Sequence, residues 1–522
     1  MNKIGFKNFR SLENTGMIDI KPINILVGKN NSGKSTFLRT FPLLRQSVES
    51  KIIGPLLWYG DYVDFGSFDE SLYVNSQNNN ISLLFDFEII PRYLSSSRVL
   101  YISRSFTNQL ARKSSEKISI QIEIDIGKGI KRNTLVDGFI IKFDDVDIKV
   151  KIKNNKIIRI VINDIDYSNL REKAIVDLRS QGFLPQPLES RESRELIYDK
   201  LILEIEKYIH PNTKKGTKHG IVGAINLGSS KSMLEGMKEI SDIKTWKKNV
   251  AAWTIWSPEF IKIRDLFFLA NLDRIISIVN EYLEKFSRNI RYLAPIRASA
   301  ERYYRWQNLA VDEIDYRGQN IAMFLGNLTK TEIENYNKWT ESILGVTFST
   351  IESSGQLSIQ VADKNSSFKR NLTDTGFGYS QILPIITQLW FLVNQRRSRI
   401  YRYRSQLSLN PSFPITFAFE QPELHLHPAM QARLADAFIS TIREDESKRL
   451  DIRLIIETHS EAIVNRFGHL IYSGKVKPED VNVLVFERNV EKNCTKVRTA
   501  KFDNKGYLSN WPVGFFQPEF EK

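Results

Sequence analysis

The sequence predicts an α/β fold that combines an α/β core, an antiparallel β subdomain and a helical insertion. Three observations predict it. An apolar run at residues 23–27 leads through a glycine-rich loop into a helix-forming segment. Residues 81–162 alternate apolar and polar side chains with period two, which is typical of a sheet with one wet face. Helical spacing dominates the stretch that follows, so we predict three parts, residues 1–165, 166–290 and 291–522.

The composition is that of a globular protein with more than one domain. The 522 residues are 42% hydrophobic and 26% charged, and this length exceeds what one core supports. Lysine and arginine number 74 against 60 acids, a net charge of +14, which favours a polyanionic partner but also fits a lysine-rich proteome. The single cysteine, Cys494, excludes an internal disulfide framework. Because no apolar run approaches the roughly 18 residues of a membrane span, we predict a cytoplasmic protein without membrane contact.

The glycine-rich loop at residues 28–35 follows two short predicted strands, at 4–12 and 16–20, and an apolar strand. Its sequence, G-K-N-N-S-G-K-S, fits the pattern G-x-x-x-x-G-K-[ST] in full. Such a P-loop binds phosphate because backbone N–H groups converge on it and the helix N-terminus adds its positive dipole end. Lys34 is expected to reach the β- and γ-phosphates, and the Ser35 hydroxyl to bind Mg²⁺. The predicted nucleotide-binding residues of the loop are Gly28, Asn30, Asn31, Ser32, Gly33, Lys34, Ser35 and Thr36.

Two acidic segments outside the loop could bind or sense a metal ion, or be surface turns. Residues 58–70 are rich in turn formers and acids and could hold a residue that senses Mg²⁺ or the γ-phosphate. Residues 144–147 lie between predicted strands, where a solvated hairpin explains the aspartates without an ion.

Two later strands are predicted to end in residues of the same nucleotide site. The apolar run at 414–419 ends in Glu420, and an acid at a strand end is what a P-loop protein needs to hold Mg²⁺. The next apolar strand runs into E-T-H, which puts His459 within reach of a γ-phosphate. His425 and His427, spaced i and i+2 without a cluster of further ligands, argue against zinc.

A further glycine-rich segment, residues 374–384, precedes an apolar helix. Its residues Gly376, Gly378 and Ser380 form either a second anion-binding helix start or an ordinary N-cap. One chain does not need two such helix starts for one nucleotide.

The sequence contains, in order, a P-loop, a glycine-rich signature segment and the motifs E-Q-P-E-L-H-L-H-P and E-T-H-S-E. This order of motifs resembles that of the ABC-class ATPases of the RecF/OLD/SMC group. It is more closely similar to the AAA-family ATPases of bacterial phage-defence operons, of the PtuA type, and the W-P-x-G-F-F tail at 511–516 resembles one subset of them. The resemblance implies an ABC-type core, ATP and Mg²⁺ as ligands, and a head-to-tail homodimer or higher oligomer. In that dimer the P-loop of one subunit is capped by the signature of the other. The resemblance does not extend to residues 166–290.

The sequence departs from this group at Gln421. Related proteins usually carry two acids after the strand, and the second polarises the attacking water. Glutamine can orient a water but cannot accept its proton, so we predict slow ATP hydrolysis in which Glu423 or Glu457 helps. The predicted catalytic residues are Lys34, Glu420, Gln421, Glu423 and His459, and the predicted metal ligands are Ser35 and Glu420.

The C-terminal stretch does not predict a nuclease. Between His459 and residue 522 the sequence contains Asp480-Val481-Asn482 but no D-x-D pair at a strand end. We therefore predict no built-in nuclease and expect a separate effector protein, a nuclease or a toxin, as a partner.

Two segments are candidates for contact with nucleic acid. Residues 396–404 carry arginines with interleaved tyrosines, which could follow a phosphate backbone, dock an acidic partner or form a solvated loop. Trp246, Trp253 and Trp256 lie near lysines and could stack bases, although packing within a helical insertion is the favoured interpretation.

The predicted function is an ATP-dependent switch in anti-phage defence that senses nucleic acid and controls an effector. The alternative is a catalytically weak, ATP-bound scaffold that oligomerises and sequesters a partner toxin or nuclease.

Overall fold

The structure is a computed structural model of the chain. It describes residues 1–89, 117–129, 133–154, 156–170, 175–177, 182–188, 191–225, 227–240, 242–307, 311, 313–364, 366, 368–394, 413–448, 451–489, 491 and 493–511. The arginine-rich segment at 396–404 and residues 512–516 of the predicted tail motif lie outside the described residues.

The regular elements are numbered here in chain order. The strands are β1 (Lys3–Phe9), β2 (Leu12–Asn14), β3 (Ile18–Asp19), β4 (Ile23–Gly28), β5 (Asn80–Ile89), β6 (Ile118–Lys128), β7 (Thr134–Phe143), β8 (Val146–Lys153), β9 (Lys156–Ile162), β10 (Ile165–Asp166), β11 (Ile175–Asp177), β12 (Gln186–Leu188), β13 (Ile290–Leu293), β14 (Tyr304–Arg305), β15 (Val346–Ser353), β16 (Gln356–Asp363), β17 (Arg370–Asn371), β18 (Ile415–Glu420), β19 (Ile452–Glu457), β20 (Val481–Asn489), β21 (Cys494–Phe502) and β22 (Leu508–Ser509). The described α-helices are α1 (Lys34–Glu49), α2 (Phe68–Ser71), α3 (Arg191–Glu206), α4 (Lys215–Ala224), α5 (Ser230–Lys238), α6 (Lys244–Ala251), α7 (Pro258–Ala270), α8 (Leu272–Arg288), α9 (Ile321–Gly326), α10 (Lys330–Leu344), α11 (Phe377–Asn394), α12 (Pro428–Lys448) and α13 (Glu461–Tyr472).

The chain forms two compact units whose segments interleave along the sequence. The first unit comprises Met1–Asp19, Gln46–Tyr59 and Phe65–Phe286, and the second comprises Ile20–Arg45, Gly60–Asp64 and Ser287–Lys522. Helices α3 to α7 therefore belong to the same unit as the antiparallel sheet. The division of the chain at residues 165 and 290 stays a prediction.

The first unit is built on an 11-stranded antiparallel sheet. Nine strands follow the order β12-β11-β9-β8-β7-β6-β5-β1-β2, and the other two, β10 and β3, pair with β9 and β1. The period-two pattern explains it, because Ile120, Ile122 and Ile124 are almost fully buried while the intervening Gln121 is exposed. The sheet also takes up β1, β2 and β3, which the sequence analysis had placed before the P-loop strand; β1 pairs with β5, and β2 and β3 pair with β1.

The tryptophans and aspartates singled out in this unit have structural partners. Trp246 and Trp253 are buried, and the Trp246 indole donates to the Met237 carbonyl at 2.9 Å, so these two rings pack inside the unit; Trp256 is 79% exposed. Within the 144–147 cluster, the Asp145 carboxylate accepts from the Ser230 backbone N–H at 2.9 Å. Across the described residues no group of three or more His, Cys, Asp or Glu side chains could hold a metal ion.

The second unit contains a seven-stranded sheet with the order β13-β18-β19-β4-β20-β21-β22. Its first five strands run parallel, and β21 pairs antiparallel with β20. Strands β4 and β18 are buried along their whole length, as the uninterrupted apolar runs require. A smaller antiparallel sheet, β14-β16-β15 with β17 on β16, belongs to the same unit. The predicted α/β class with an antiparallel β subdomain and helices is confirmed.

None of the described helices combines the length and the apolar character needed to cross a membrane.

Candidate nucleotide site

The sheet of the second unit brings three strand ends together at one edge. Strand β19 lies between β18 and β4, so Glu420 pairs in register with Glu457, and Glu457 pairs with Leu26 of the P-loop strand. Because all three strands are parallel, their carboxyl ends meet at the edge from which the P-loop leaves β4. Two carboxylates therefore lie beside the P-loop.

The P-loop has the backbone that its sequence requires. Asn31 and Gly33 adopt positive φ angles of 59° and 90°. A Cβ at Gly28 would lie 2.5 Å from both the Phe486 carbonyl oxygen and the Ser32 hydroxyl, so only glycine fits there. The Ser32 hydroxyl is buried and has no hydrogen-bond partner within the described part of the chain. Asn30 is exposed and Thr36 is buried near the start of α1.

Lys34, the first residue of α1, folds back over the loop. Its Nζ donates to the carbonyl oxygens of Gly28 and Lys29, each at 2.9 Å, and the residue is 3% exposed. Burial lowers the pKa of Lys34, and the charges of Glu457 and Glu423 oppose that change. The ammonium group is thus placed at the mouth of the P-loop and within the field of two carboxylates.

The P-loop serine contacts the acid at the end of β19. The Ser35 hydroxyl donates to Glu457 Oε1 at 2.7 Å, and Glu457 Oε2 is buried without a hydrogen-bond partner among the described residues. Burial raises the pKa of Glu457 to about 7; the hydrogen bond from Ser35 opposes this rise and the Glu420 carboxylate adds to it. The sequence pointed to Glu420 as the partner of Ser35 in binding metal, whereas here Ser35 lies against Glu457.

Glu420 is held by a cation and a phenol. Arg39 donates through Nε to Glu420 Oε2 at 2.9 Å and through Nη2 to Oε1 at 2.6 Å, and the Tyr292 hydroxyl donates to Oε2 at 2.8 Å. Glu420 is 3% exposed, so the paired guanidinium offsets the cost of burying its charge.

Gln421, Glu423 and His459 line one cavity of about 660 Å³. Gln421 adopts a φ of 44°, and its backbone N–H donates to the Glu457 carbonyl at 3.0 Å. Glu423 Oε1 accepts from the His459 backbone N–H at 2.7 Å, while Glu423 Oε2 is buried with no partner in the described ranges. Burial raises the pKa of Glu423, whereas burial and the Lys34 charge lower that of His459. The Glu423 carboxyl group is therefore buried beside the His459 backbone, close to the Thr458 side chain.

The signature segment lies against the loop that follows β18. The Gly378 position is close-packed, since a Cβ there would be 3.3 Å from the His425 carbonyl oxygen. The Phe377 ring meets the His425 ring edge-on with centroids 4.8 Å apart. Ser380 donates from its hydroxyl to the Phe377 carbonyl at 2.6 Å, and Gly376 adopts a φ of 88° with open space around it. The contacts of this segment thus run to the His425 loop of the same chain.

Three residues that the sequence analysis did not single out complete the site: Arg39, Tyr292 and Arg297. Arg39 lies one helical turn after Ser35 on α1, and this i, i+4 spacing is the signal that could have identified it. Tyr292 reaches the site because β13 pairs with β18, and Arg297 lies four residues after the end of β13. Residue spacing alone does not predict this pairing.

A parallel sheet whose central strand leads into a P-loop, beside two strands that end in carboxylates, is the core of a P-loop nucleotide-binding protein. The AAA ATPase domain model AAA_15 matches residues 1–464, and the chain belongs to this family. A second model, a protein of unknown function (DUF3696), matches residues 476–519. The curated proteins gave no match. The protein is thus an ATP-binding ATPase, and its family uses a nucleotide and usually Mg²⁺.

Similar solved structures include three heads of SMC proteins. The SMC head bound to the C-winged helix domain of ScpA has a TM-score of 0.34 at 12% identity and covers 96% of this chain and 97% of that chain. An Smc head with an extended coiled coil bound to the C-terminal domain of ScpA, from Pyrococcus furiosus, has a TM-score of 0.34 at 11% identity and covers 96% of both chains. The SMC head from Thermotoga maritima has a TM-score of 0.34 at 9% identity, covering 95% of this chain and 98% of that chain. At these TM-scores the likeness carries no conclusion about this chain.

The residues at the strand ends fit a Mg²⁺-nucleotide. Ser35, Glu420 and Glu457 supply the hard oxygen donors that Mg²⁺ takes, and Glu457 Oε2 is still without a partner within the described chain. The Ser32 hydroxyl of the loop, buried and without a partner among the described residues, is a further donor for a phosphate oxygen.

Proposed function

We propose that the protein is an ATP-dependent dimeric switch of bacterial anti-phage defence, PtuA-like, which contacts nucleic acid and controls a separate effector, a nuclease or a toxin. The observation that carries the proposal is the convergence of the P-loop serine with two strand-end carboxylates, followed by a glutamine in place of the second acid. Such a site binds ATP firmly but is poorly equipped to activate water.

The roles proposed for the chain's own residues follow from their contacts. Lys34 and the loop amides of 28–35 hold the phosphates, and Ser35, Glu420 and Glu457 are the residues that would hold Mg²⁺. Bound Mg²⁺ supplies charge neutralisation at the β- and γ-phosphates. Arg39 keeps the Glu420 carboxylate in place.

Slow ATP hydrolysis is expected from the side chains that surround the attacking water, Gln421 and Glu423. Gln421 can orient a water but takes no proton. Glu423 is a carboxylate of the same cavity, and its raised pKa makes it a closer match to neutral pH than an ordinary carboxylate. We assign the residual water activation to Glu423, with His459 facing the γ-phosphate.

The experiment that tests this assignment measures phosphate release by the purified full chain. Gln421→Glu supplies the missing acid and is expected to raise turnover at least about tenfold, since general bases contribute from about 10²-fold. Glu423→Gln is expected to lower the residual turnover of the wild type. Asn465→Asp, at an exposed position on the wall of the same cavity, is the matched amide-to-acid control and is expected to leave turnover unchanged. Fast turnover by the wild type that is unaffected by Glu423→Gln and Glu457→Gln would contradict the proposal.

Contact with nucleic acid is supported by a cationic ladder on the first unit, formed by Lys149, Lys151, Lys153, Lys156 and Arg159. On β8 the three lysines alternate with buried residues and therefore share one face. In register, Lys151 faces Arg159 and Lys153 faces Lys156 on β9, and like charges directly opposite each other are destabilising.

Few acids neutralise the ladder. Asp164 pairs with Lys149 at 3.3 Å and Asp166 with Arg159 at 3.1 Å. In the described part of the chain, Lys151, Lys153 and Lys156 are exposed and form no direct ion pair, although the charge of Lys151 acts on the Asp125 carboxylate. Lysines spaced about 7 Å apart along a strand suit a phosphate backbone, and a bound polyanion would relieve the repulsion between the strands.

The same glutamine favours a second candidate function, a catalytically weak ATP-bound scaffold that oligomerises and sequesters a partner. Phosphate release measured with and without DNA separates the two. Stimulation by DNA supports the switch, and a low, DNA-independent rate with ATP-dependent oligomers supports the scaffold.

A further inference from the structure

The first turn of α12 carries an amide side chain, that of Gln431, which reaches back to the loop that follows β18. Its Nε2 donates to the Leu426 carbonyl oxygen at 2.9 Å and to the Glu423 carbonyl oxygen at 3.4 Å. Both hydrogens of the amide are thus used on one loop. That loop also carries Gln421, so Gln431 holds a segment whose side chains line the cavity of about 660 Å³.

The oxygen of the same amide is bound from the start of α13. The Ser460 hydroxyl donates to Gln431 Oε1 at 2.6 Å, and as the N-cap of the helix it accepts from the Ile463 backbone N–H at 3.1 Å. Ser460 is 6% exposed and directly follows His459. The Gln431 amide therefore joins the loop after β18 to the residue next to His459.

This connection requires a side chain with a donor and an acceptor at its tip. Backbone carbonyl oxygens can only accept, so the amide nitrogen of Gln431 has to face them. The Ser460 hydroxyl has one hydrogen to donate, and the amide oxygen accepts it. Glutamate would set a carboxylate against two carbonyl oxygens, and methionine, which is similar in length, would make neither contact.

A second hydrogen bond runs between the same two segments. The His459 backbone N–H donates to Glu423 Oε1 at 2.7 Å, and its neighbour Ser460 makes the contact to Gln431. Two connections through consecutive residues restrain one segment against the other more than either does alone. Loss of the Gln431 amide would remove one of these two connections.

We infer that Gln431 is a positioning residue of the ATPase site, whose amide fixes Glu423 and His459 relative to each other. Its effect on the rate rests on the proposed function, in which Glu423 activates water and His459 faces the γ-phosphate. A reacting group that is misplaced by about 1 Å can lose about 100-fold in rate, so breaking the contacts of the amide should slow hydrolysis. The affinity for ATP, which depends on the P-loop, should stay close to that of the wild type.

The test measures phosphate release by the full chain as a function of ATP concentration. Gln431→Met is expected to lower kcat at least about tenfold and to change KM by less than about twofold, since KM reports affinity when chemistry is slow. Ser460→Asp keeps the helix cap but has no hydrogen to donate, so it should lower kcat in the same way. Ser460→Thr keeps the hydroxyl and should retain most of the wild-type kcat. Asn465→Asp, at an exposed position on the same helix, adds the same charge as Ser460→Asp and should leave kcat unchanged.

The double variant Gln431→Met/Ser460→Asp shows whether the two residues act through one contact. If they do, its kcat should match that of the more impaired single variant. Losses that multiply overturn the inference, and so does a Gln431→Met chain that keeps the wild-type kcat or whose loss lies entirely in KM. Thermal unfolding checks that each variant folds, and if Gln431→Met does not fold, the comparison of Ser460→Asp with Ser460→Thr takes its place.

Glu423→Gln tests the proposed function separately. A loss of kcat in Gln431→Met with none in Glu423→Gln would support positioning by Gln431 and refute water activation by Glu423. A loss of kcat in Glu423→Gln with none in Gln431→Met would support water activation by Glu423 and overturn the inference about Gln431.

Discussion

Glu457 links the protonation of the site to the stability of the nucleotide-free protein. Its pKa in the fold is about 7, against an ordinary value of 4.5, and burial is the main cause. Between these two values the folded chain binds more protons at this group than the unfolded chain does, so stability falls as the pH rises from about 4.5 through 7. At pH 8 the cost of ionising the buried carboxyl is fully present.

We therefore predict that Glu457→Gln stabilises the nucleotide-free protein at pH 8 and has little effect at pH 5. The gain at pH 8 should be up to about 3 kcal/mol, since each pKa unit corresponds to about 1.4 kcal/mol. Urea unfolding at pH 5, 6, 7 and 8 measures it, with the exposed Glu461→Gln as control. A stability difference that does not change with pH would contradict this assignment.

Whether a feature of the site could be predicted depends on how far apart the residues that form it are in the sequence. The P-loop could be predicted because its positive φ angles, its glycines and the start of α1 depend on contiguous residues. The contact between Ser35 and Glu457 joins residues 422 positions apart, and the hydrogen bond from Ser460 to Gln431 joins residues 29 positions apart at the starts of two helices. Local sequence patterns predict neither of these features.

At the scale of elements, period two predicted the antiparallel sheet correctly from β5 to β9. It did not predict that β1, β2 and β3 would join that sheet, because short strands contain too few alternations to identify a partner. The buried parallel strands β4, β18 and β19 were recognisable as apolar runs, whereas their order in the sheet depends on long-range pairing.

Removing a positive charge from the cationic ladder on β8 and β9 should stabilise the fold and weaken the binding of nucleic acid. Lys151→Glu places an acid opposite Arg159 and should raise the unfolding free energy by about 0.2–1 kcal/mol. The same change should weaken binding of fluorescent double-stranded DNA or RNA and reduce the salt dependence of that binding. Denaturant unfolding and fluorescence anisotropy at several salt concentrations measure the two effects.

The control for Lys151→Glu is Lys247→Glu on α6, an exposed position with the same change in net charge. Equal loss of binding in both variants would mean that net charge alone attracts nucleic acid. Binding that survives Lys151→Glu but is displaced by an acidic protein or an anionic vesicle would assign the ladder to another class of partner.

At the scale of the whole molecule, the proposed dimer predicts complementation between two inactive variants. Lys34→Ala lacks a working P-loop, and Gly376→Arg adds a side chain where no atom lies within 4 Å, which obstructs the signature. In a mixed dimer one composite site is intact, so an equimolar mixture should recover about one quarter of wild-type turnover through random pairing. Retained ATP binding by Gly376→Arg shows that this variant folds despite the strained φ.

The control mixture pairs Lys34→Ala with His459→Ala. Lys34 and His459 interact within one chain, so every site in that mixture lacks one of them and no recovery is expected. Activity of Gly376→Arg alone, or a first mixture as inactive as the control, would refute a site shared between two copies.

The central position of β4 in its sheet constrains how the protein is made. The strand is near the start of the chain, yet it pairs with β19 and β20, and the Asn24 side chain donates to the Leu454 carbonyl, a partner 430 positions later. Contacts between such distant residues form slowly, and during synthesis they have to wait until nearly the whole chain has left the ribosome. We therefore expect newly made chains to take up ATP only after β20 has emerged, because the sheet that supports the P-loop is incomplete until then.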